Sequence, residues 1–422
     1  MAASSRRRRI AHAEICAISI IAAVGGAVQA QENGYGPNPQ LPKQSSSWLP
    51  TVKVAKAVGW KKGEVPSAAS GFEVAAFASG LDHPRWLYVL PNGYVLVAES
   101  NAPPKPDGMS DGLRGMVQGW LMARAGARTP SANRISLLGD ADGDGIAELK
   151  VPFLENLKSP FGMALVGDRL YVANADAVVH FPYASGQTRI TQPAVKLVDL
   201  PAGRNHHWTK SLVANVEGTK LYVGVGSNSN IAENGIDEET NRAAVLEVDI
   251  VTGQSRVFAS GLRNPVGIDW NPASKELWVA VNERDELGND LVPDYMTSVK
   301  EGAFYGWPYS YFGRNVDPRV TPPRPDLVAK ALVPDYALGA HTASLGLTFV
   351  KKSELGAEFD GGAIVGQHGS WNRNPRSGYR VIFVPMAKRP VRPRRWSTGF
   401  SVRTVKRAAG PSALSSTHAA RC

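Results

Sequence analysis

Short apolar runs separated by turns of Gly, Pro and Asn recur along this chain of 422 residues. The stretch from Phe258 to Trp307 shows the pattern in full. A turn at residues 263–265 precedes one apolar run, Val266 to Trp270, and a second run spans Leu277 to Val281. A long acidic loop, Asn282 to Asp294, follows. Such runs, bounded by turn residues, predict short β-strands joined by tight turns and polar loops.

The same succession of turns and apolar runs returns at four other places, residues 77–97, 157–173, 207–226 and 345–365. Repeats of roughly 45–75 residues built from short strands are typical of radial β repetition and not of a single sandwich. The pattern therefore predicts an all-β protein with a β-propeller over residues 71–385.

The first 30 residues have the three parts of a secretory signal. Arg6 to Arg9 is the basic part, Ile15 to Val28 the apolar part, and Val28-Gln29-Ala30 the cleavage site. A membrane anchor is disfavoured because the apolar run is too short to span a bilayer. Residues 31–70, rich in Pro, Ser, Gly and Lys, are predicted to form a linker or extended lead-in. We expect a periplasmic or secreted protein with no stable membrane span once the signal is removed.

The net charge of +10 is concentrated at the two ends of the chain. The signal has four Arg and one Glu, and the tail after Met386 has nine basic residues and no acidic one. The remaining body has 34 basic and 36 acidic residues. A body so close to neutral argues against a nucleic-acid partner, since nucleic-acid surfaces are strongly basic.

A run of alternating carboxylates resembles a calcium-binding loop, with Asp140, Asp142 and Asp144 as its acids. Carboxylates at this spacing can wrap oxygens around a hard cation. The glutamate expected at the twelfth loop position is absent, because Val151 stands there. A structural calcium site and a plain Asp/Gly turn between strands are both open interpretations.

Two polar loops beside predicted strands are candidates for chemistry. His207 lies in the densest polar cluster, residues 204–210, where a histidine can act as a general base near neutral pH. The alternative is a histidine hydrogen-bonded to a neighbouring loop. Asn228 lies in an amide-rich loop, residues 224–235, which suits either a polar ligand or a turn between blades.

Further candidates lie in three later loops. Arg263 and Asn264 occupy the matching position one repeat further on, and the forked donors of Arg suit a planar carboxylate. The acidic loop of residues 282–294 offers oxygens to a hard cation. Trp371 and Arg373 lie in a polar–aromatic loop that could contact a ligand or could make a contact between blades. The chain contains no dinucleotide fingerprint, so hydride transfer to a nicotinamide has no support.

Several long phrases in order make the chain resemble the sorbosone dehydrogenase-like branch of the soluble quinoprotein aldose (glucose) dehydrogenases. They include GLDHPRWLYVLPNGYVLVAE, HHWTKSL, GVGSNSNIAENG, GLRNPVGIDWNP and GQHGSWNR, and the resemblance runs from about Gly71 to Pro385. It implies a six-bladed β-propeller that binds pyrroloquinoline quinone (PQQ) and calcium. It also implies oxidation of a small sugar, an aldose or sorbosone, with an electron acceptor that the sequence does not identify.

The resemblance implies roles for individual residues. His207 matches the general base, and Arg263 and Asn264 match an Arg-Asn pair that contacts the cofactor. Arg284 and Asp285 fall where backbone carbonyls hold the catalytic calcium. Further cofactor contacts are expected from the polar loops, at Asn228, Trp371 and Arg373.

The tail departs from the family pattern. The family continues with a last blade containing a phrase like GRPVGVxxD, whose arginine contacts the cofactor, whereas residues 402–422 read VRTVKRAAGPSALSSTHAARC. We expect no strands after residue 386 and hypothesise that residues 386–422 are a frameshifted translation of the last blade. The last blade would then be incomplete or aberrant, and we expect exposed strand edges and a lost cofactor contact to lower stability and impair activity.

Two other functions stay open from the sequence. A calcium-dependent propeller lactonase would use carboxylate and Asn ligands on one metal and no quinone. A non-catalytic propeller would bind a sugar or a protein.

Overall fold

The computed structural model describes residues 34–45, 51–55, 63–104, 130–352, 355–386, 394–398 and 404–407. The predicted signal, residues 1–30, lies outside these ranges. Within them, the search for an apolar helix of membrane-spanning length finds none.

The strands fall into consecutive antiparallel sheets. Three short strands come first: β1 (Tyr35–Gly36), β2 (Ser67–Ala68) and β3 (Phe72–Ala75). Blade 1 contains β4 (Pro84–Val89), β5 (Val95–Glu99), β6 (Arg134–Gly139) and β7 (Leu149–Leu154). Blade 2 contains β8 (Met163–Val166), β9 (Arg169–Ala173), β10 (Ala177–Pro182) and β11 (Val195–Asp199). Blade 3 contains β12 (Lys210–Ala214), β13 (Lys220–Val225), β14 (Ala244–Asp249) and β15 (Ser255–Ser260), with a 3₁₀ turn at Ile236–Glu239.

The second half of the chain continues the series with one insertion. Blade 4 begins with β16 (Pro265–Trp270), β17 (Leu277–Val281) and β18 (Pro293–Ser298). An insertion follows with β19 (Ser310–Tyr311), β20 (Asn315–Val316) and the helical turn α1 (Pro325–Val328), after which β21 (Tyr336–Ala340) completes the blade. Blade 5 contains β22 (Ser344–Phe349), β23 (Ala363–Gln367), β24 (Arg380–Val384) and β25 (Arg394–Thr398), and β26 (Thr404–Arg407) comes last.

The early strands pair with late ones. β1 pairs with β21 at the edge of blade 4, and β2 pairs with β25 at the edge of blade 5. β3 pairs with β26 in a separate two-stranded sheet. The expectation of no strands after residue 386 was therefore wrong, because both 394–398 and 404–407 pair with strands from the lead-in or the start of the propeller.

The blades pack face to face, which explains why middle strands such as β5 and β17 are buried along their whole length. Aromatic rings meet across the junctions. Trp86 and Phe161 join blades 1 and 2 at 5.0 Å between centroids, and Tyr222 and Trp270 join blades 3 and 4 edge to face at 5.4 Å. Such large apolar side chains stabilise the stacking of neighbouring sheets.

The first strands of the blades are neighbours in sequence order: β4 lies beside β8, β8 beside β12, β12 beside β16, and β16 beside β22. These strands therefore form the centre of the array, and the loops before them meet at one end of it. The predicted all-β propeller is confirmed, with five complete blades. The two-stranded sheet of β3 and β26 is consistent with an incomplete sixth blade.

Candidate functional site

A cavity of about 420 Å³ opens among the central strands. Its walls come from the starts of blades 1 to 5, so the propeller geometry, and not any one segment, creates it. The polar wall includes His83, Arg85, His206, His207, Asn264 and His368. The apolar wall includes Phe161, Trp208, Val266 and Leu345. No acidic residue from the described part of the chain lines it.

The hydrogen bonds of His207 fix which ring nitrogen carries the proton. Its Nδ1 lies 2.8 Å from the carbonyl oxygen of Ser227 and 3.0 Å from Ser227 Oγ. That hydroxyl donates to the carbonyl oxygen of Ser229 at 2.6 Å, so it can only accept from His207. The network therefore assigns the proton to Nδ1 and leaves the lone pair on Nε2.

The surroundings of His207 favour its neutral form. Burial lowers the pKa of the imidazole well below its ordinary value of 6.5, and the positive charges of Arg263 and His206 lower it further. A neutral imidazole with a free Nε2 can accept a proton at neutral pH, which is what a general base requires.

Gly226 allows the loop of His207 and the loop of Asn264 to lie close together. A Cβ at Gly226 would overlap Asn264 Oδ1 and would lie 2.5 Å from the Cβ of His207. The buried Arg242 bridges the same region, since its guanidinium donates to the carbonyl oxygens of Gly226 and Ala202. Only a residue without a side chain fits at 226, and this brings two predicted site residues together.

Asn264 and Arg263 have different surroundings although they are adjacent. Asn264 lines the cavity, and its buried Oδ1 has no hydrogen-bond partner in the described structure. Arg263 is only 2% exposed and does not line the cavity. Its guanidinium donates to Asn230 Oδ1 at 3.0 Å and to the Glu283 carbonyl at 2.8 Å. Arg263 thus ties two loops together beside the cavity.

Arg85 is a cavity residue that the sequence analysis missed. Its Nε donates to the carbonyl oxygen of Ser100 and its Nη2 to Asn101 Oδ1, both at 3.0 Å. The guanidinium lies 5.6 Å from the ring centroid of Trp208. Its Nη1 has no partner among the described residues, so a positive charge faces the cavity without a carboxylate to neutralise it. The phrase HPRW contains Arg85 beside a predicted strand, but the sequence of one strand does not show which side chains face the centre of the propeller.

Two further histidines of the cavity were also missed. His368 has a pKa lowered to about 4, chiefly because the surrounding protein desolvates the ring and then because of the charge on Arg85. The same two causes lower the pKa of His83. His368 remains open to the cavity although protein surrounds it. Both rings therefore favour the neutral form and add hydrogen-bonding capacity rather than charge.

Asn228 lies next to the cavity and serves the loop that carries the base. It is 1% exposed, and its Oδ1 accepts from the backbone N–H of His206 at 3.2 Å. Its own N–H donates to the carboxylate of Glu239 at 2.7 Å. These bonds position the loop, and a direct contact of Asn228 with a cofactor stays a prediction.

Trp371 and Arg373 are not among the residues that line the His207 cavity. Arg373 lines a second cavity of about 260 Å³, next to the lead-in residues Tyr35 and Leu41. Its Nε donates to the carbonyl oxygen of Asn289 at 2.8 Å. The structure thus brings His207 and Asn264 together at one cavity and places Arg373 at another.

Most polar groups of the loop predicted to hold the catalytic calcium already form hydrogen bonds within the protein. The Asp285 carbonyl oxygen accepts from Arg319 Nη1 at 3.1 Å. The carboxylate of Asp285 accepts from Asn372 Nδ2 at 2.7 Å. The Arg284 side chain is completely buried, and its Nη2 donates to the Ser310 carbonyl at 2.6 Å.

The predicted surface calcium loop brings four carboxylates together. Oxygen atoms of Asp140, Asp142, Asp144 and Glu148 all lie within 4.8 Å of one another. Backbone N–H groups already bond to them; for example, Gly143 N–H donates to Asp140 Oδ1 at 2.7 Å. Glu148, at the ninth loop position, joins the cluster where the twelfth position does not. A bound ion at this loop stays a prediction.

Comparison with known proteins gives matches at low identity. A family model described as TrAA12-like matches residues 135–308. An uncharacterised protein of Borreliella burgdorferi is 25% identical over an alignment 256 residues long, gaps included, that covers 58% of this chain and 66% of that protein. A pyrroloquinoline quinone-dependent pyranose dehydrogenase of Coprinopsis cinerea is 23% identical over an alignment 365 residues long, gaps included, that covers 76% of this chain and 44% of that enzyme. The chain thus spans less than two thirds of either relative.

Solved structures show the fold more fully. The holo PQQ domain of the Coprinopsis cinerea pyranose dehydrogenase superposes with a TM-score of 0.62 at 19% identity, over 80% of this chain and 87% of that domain. The PQQ-bound aldose sugar dehydrogenase of Streptomyces coelicolor gives 0.50 at 15% identity, over 79% of this chain and 86% of that one. In fold, this chain is therefore similar to the soluble PQQ-dependent glucose and aldose sugar dehydrogenases and to PQQ-dependent pyranose dehydrogenase.

Proposed function

We propose that this chain is a PQQ-dependent dehydrogenase that oxidises an aldose or sorbosone, with His207 as the general base. The observation that carries the proposal is the tautomer of His207. Its Nδ1–H is engaged by Ser227, so Nε2 is the nitrogen available to a ligand in the central cavity. The fold similarity to PQQ sugar dehydrogenases supports the same interpretation.

The central cavity suits PQQ, which is a flat aromatic tricarboxylate. Trp208 and Phe161 provide apolar faces, and Arg85 provides a positive charge that no lining acid of the described chain neutralises. Asn264 lines the same cavity, and its side-chain amide N–H groups can donate hydrogen bonds to carboxylate or quinone oxygens. The residues therefore fit the cofactor, with Arg85 and Asn264 as the side chains that would hold it.

The residues around the base support proton removal from a sugar hydroxyl. PQQ, when bound, supplies a two-electron acceptor for hydride. Nε2 of His207 takes the proton of the anomeric hydroxyl of an aldose, or of a hydroxyl on the hydrated aldehyde of sorbosone, as the carbon–hydrogen bond breaks. The Ser227 carbonyl stabilises the positive charge that develops on the ring. The low pKa of His207 makes the protonated ring a ready donor, so the proton can leave before the next turnover.

We propose that the complete fold has six blades, of which this chain has five complete ones and a two-stranded remnant of the sixth. The pairing of β3 with β26 supports a sixth blade in which a strand from the start of the propeller joins one from its end. The hypothesis that residues 386–422 are a frameshifted translation predicts that a correct last blade would complete that sheet. The nucleotide sequence tests it, since a gene without a GRPVGV-like phrase in another frame would rule it out. We also propose a periplasmic or secreted location, as the predicted signal requires.

The decisive experiment combines cofactor binding with turnover. Purified mature chain is titrated with PQQ, and sugar-driven reduction of a dye is then measured. We expect saturable PQQ binding, and His207→Asn should lower the rate by about 100-fold to 10,000-fold while binding persists. His180→Asn, at a histidine of β10 that does not line the cavity, is the matched control and should keep most of the rate. Lactone hydrolysis without quinone would instead favour a lactonase.

A further inference from the structure

The loop from Asn282 to Glu286 presents consecutive backbone carbonyls that are already occupied by arginine side chains. Nη1 of Arg263 donates to the Glu283 carbonyl at 2.8 Å and to the Asn282 carbonyl at 3.3 Å. Arg263 comes from the end of blade 3 and is almost completely buried. One guanidinium therefore covers the first half of the loop.

A second guanidinium covers the other half. Nη1 of Arg319 donates to the Asp285 carbonyl at 3.1 Å and to the Glu286 carbonyl at 3.4 Å. Asp317 fixes Arg319 in place through two bonds, Nε to Oδ1 at 2.9 Å and Nη2 to Oδ2 at 2.8 Å. Because Arg319 is anchored at both of its other nitrogens, its hold on the loop is part of the folded structure and not a loose surface contact.

Residues 282–286 have five backbone carbonyls, and that of Arg284 is the one that accepts no hydrogen bond from the described residues. The Arg284 side chain runs into the interior, where Nε donates to Glu283 Oε2 at 3.0 Å and Nη1 to the Pro308 carbonyl at 2.7 Å. Calcium normally takes six to eight oxygen ligands at roughly 2.3–2.6 Å. A single open carbonyl is a poor start for such a shell, because the other four carbonyls already accept hydrogen bonds from two guanidinium groups that are held by Asp285 at 3.7 Å and by Asp317 at 2.8 Å.

We propose that Arg263 and Arg319 occupy the place that the resemblance gives to the catalytic calcium, and that the central cavity binds its quinone without calcium at this loop. This inference rests on the proposed function, because it concerns the same cofactor. Arg263 is next in sequence to the cavity residue Asn264, and its charge already acts on His207. Although the Asp285 carboxylate lies 3.7 Å from its guanidinium, Arg263 lowers the pKa of His207 and so supplies positive potential at that ring without a metal.

The test measures PQQ affinity with and without calcium. Calorimetric titrations are run in excess EGTA and in excess calcium chloride, on a chain carrying Asp140→Asn, Asp142→Asn and Asp144→Asn so that the surface acidic loop cannot contribute. We expect the two dissociation constants to differ by less than about tenfold. Binding that calcium tightens by tenfold or more would overturn the inference and leave the proposed function standing. No PQQ binding in either buffer would overturn both.

A charge-removing variant tests the stated cause. Arg319→Gln keeps a donor near the loop carbonyls but removes the positive charge that opposes a cation. We expect calcium to tighten PQQ binding more in this variant than in the parent chain. Arg314→Gln, which removes an exposed arginine of the same insertion, is the matched control and should behave as the parent does. An Arg319→Gln chain as indifferent to calcium as the control would show that the arginine charge does not exclude the ion.

Discussion

Nδ1 of His207 and the carbonyl oxygen of Ser227 lie 2.8 Å apart, and this one bond orients the base of the central cavity. The two residues come from different parts of blade 3, the loop before β12 and the loop after β13. The antiparallel pairing of β12 with β13 brings them together, since Lys210 pairs with Val225. The pairing of Lys210 with Val225, three residues after His207 and two residues before Ser227, thus sets the orientation of the base.

The pH dependence of the reaction should report the low pKa of His207. The base works only when neutral, so the rate falls as pH drops through the pKa of the folded chain. Because burial and the charges of Arg263 and His206 lower that pKa, the acid limb of kcat/KM should lie below pH 6.5. A rate profile from acid to neutral pH measures it, and a limb at or above 6.5 would contradict the assignment.

The His206→Asn chain serves as the control for the pH profile. It keeps the base, so its acid limb should persist but move toward higher pH, because one of the charges that lowers the His207 pKa is gone.

The lowered pKa of His207 in the parent chain also makes folding stability depend on pH. The unfolded chain binds the proton first as pH falls through about 6.5, so His207 in the folded state costs stability below that value.

The sequence predicted the repeat architecture well but assigned the cavity only in part. Turn and strand signals at 77–97 and 345–365 depend on local residues, so they located blades 1 and 5 without any long-range information. Arg85 and His368 escaped notice because their meeting in one cavity depends on blade order around a centre, which no local pattern shows. Arg373 was grouped with the cofactor residues through its loop composition, yet it faces the second cavity.

In the tail, the sequence predicted no strands where the structure has two. Residues 394–398 and 404–407 were judged from composition, and their Pro- and Arg-rich setting argued against strands. The segment 394–398 pairs with the preceding strand β24 and with the distant β2, and 404–407 pairs with the distant β3. Open sheet edges offer backbone hydrogen bonds to many sequences, and that tertiary opportunity overrides weak local preference.

Replacing Gly226 by alanine should damage the site and the fold together. The added methyl group would overlap Asn264 Oδ1 and crowd the Cβ of His207. Overpacking of this kind costs about 1–3 kcal/mol, so we expect a lower unfolding midpoint and loss of PQQ binding. Gly34→Ala is the matched control, since its nearest neighbour to a new Cβ would be at an ordinary 3.7 Å. Wild-type stability in Gly226→Ala would mean that the loops are not packed as described.

Removing the charge of Arg85 should have two separate effects. In Arg85→Gln, PQQ affinity should fall by about 10-fold to 100-fold, because a charge-assisted bond to a carboxylate is lost. The pKa of His368 should rise above its present value of about 4, because the Arg85 charge is one cause of that low value. Calorimetry measures the first effect, and an NMR titration of the His368 ring measures the second.

Arg85→Lys separates charge from geometry in that experiment. A lysine keeps the positive charge, so the pKa of His368 should stay low, whereas the loss of the planar fork should still weaken binding of a carboxylate. Unchanged PQQ affinity in both variants would show that Arg85 does not face the cofactor.

The acidic surface loop should respond to calcium independently of the cavity. Four carboxylates within 4.8 Å repel one another, and a divalent cation would relieve that repulsion. We expect calcium to raise the unfolding midpoint of the parent chain and to have no such effect after Asp140→Asn, Asp142→Asn and Asp144→Asn. Thermal denaturation in calcium and in EGTA measures the difference. Asp168→Asn, an acid in the turn between β8 and β9, is the control and should leave the calcium response intact. An unchanged midpoint in the parent chain would identify the loop as an Asp/Gly turn whose carboxylates are satisfied by its own N–H groups, as at Gly143 and Gly145.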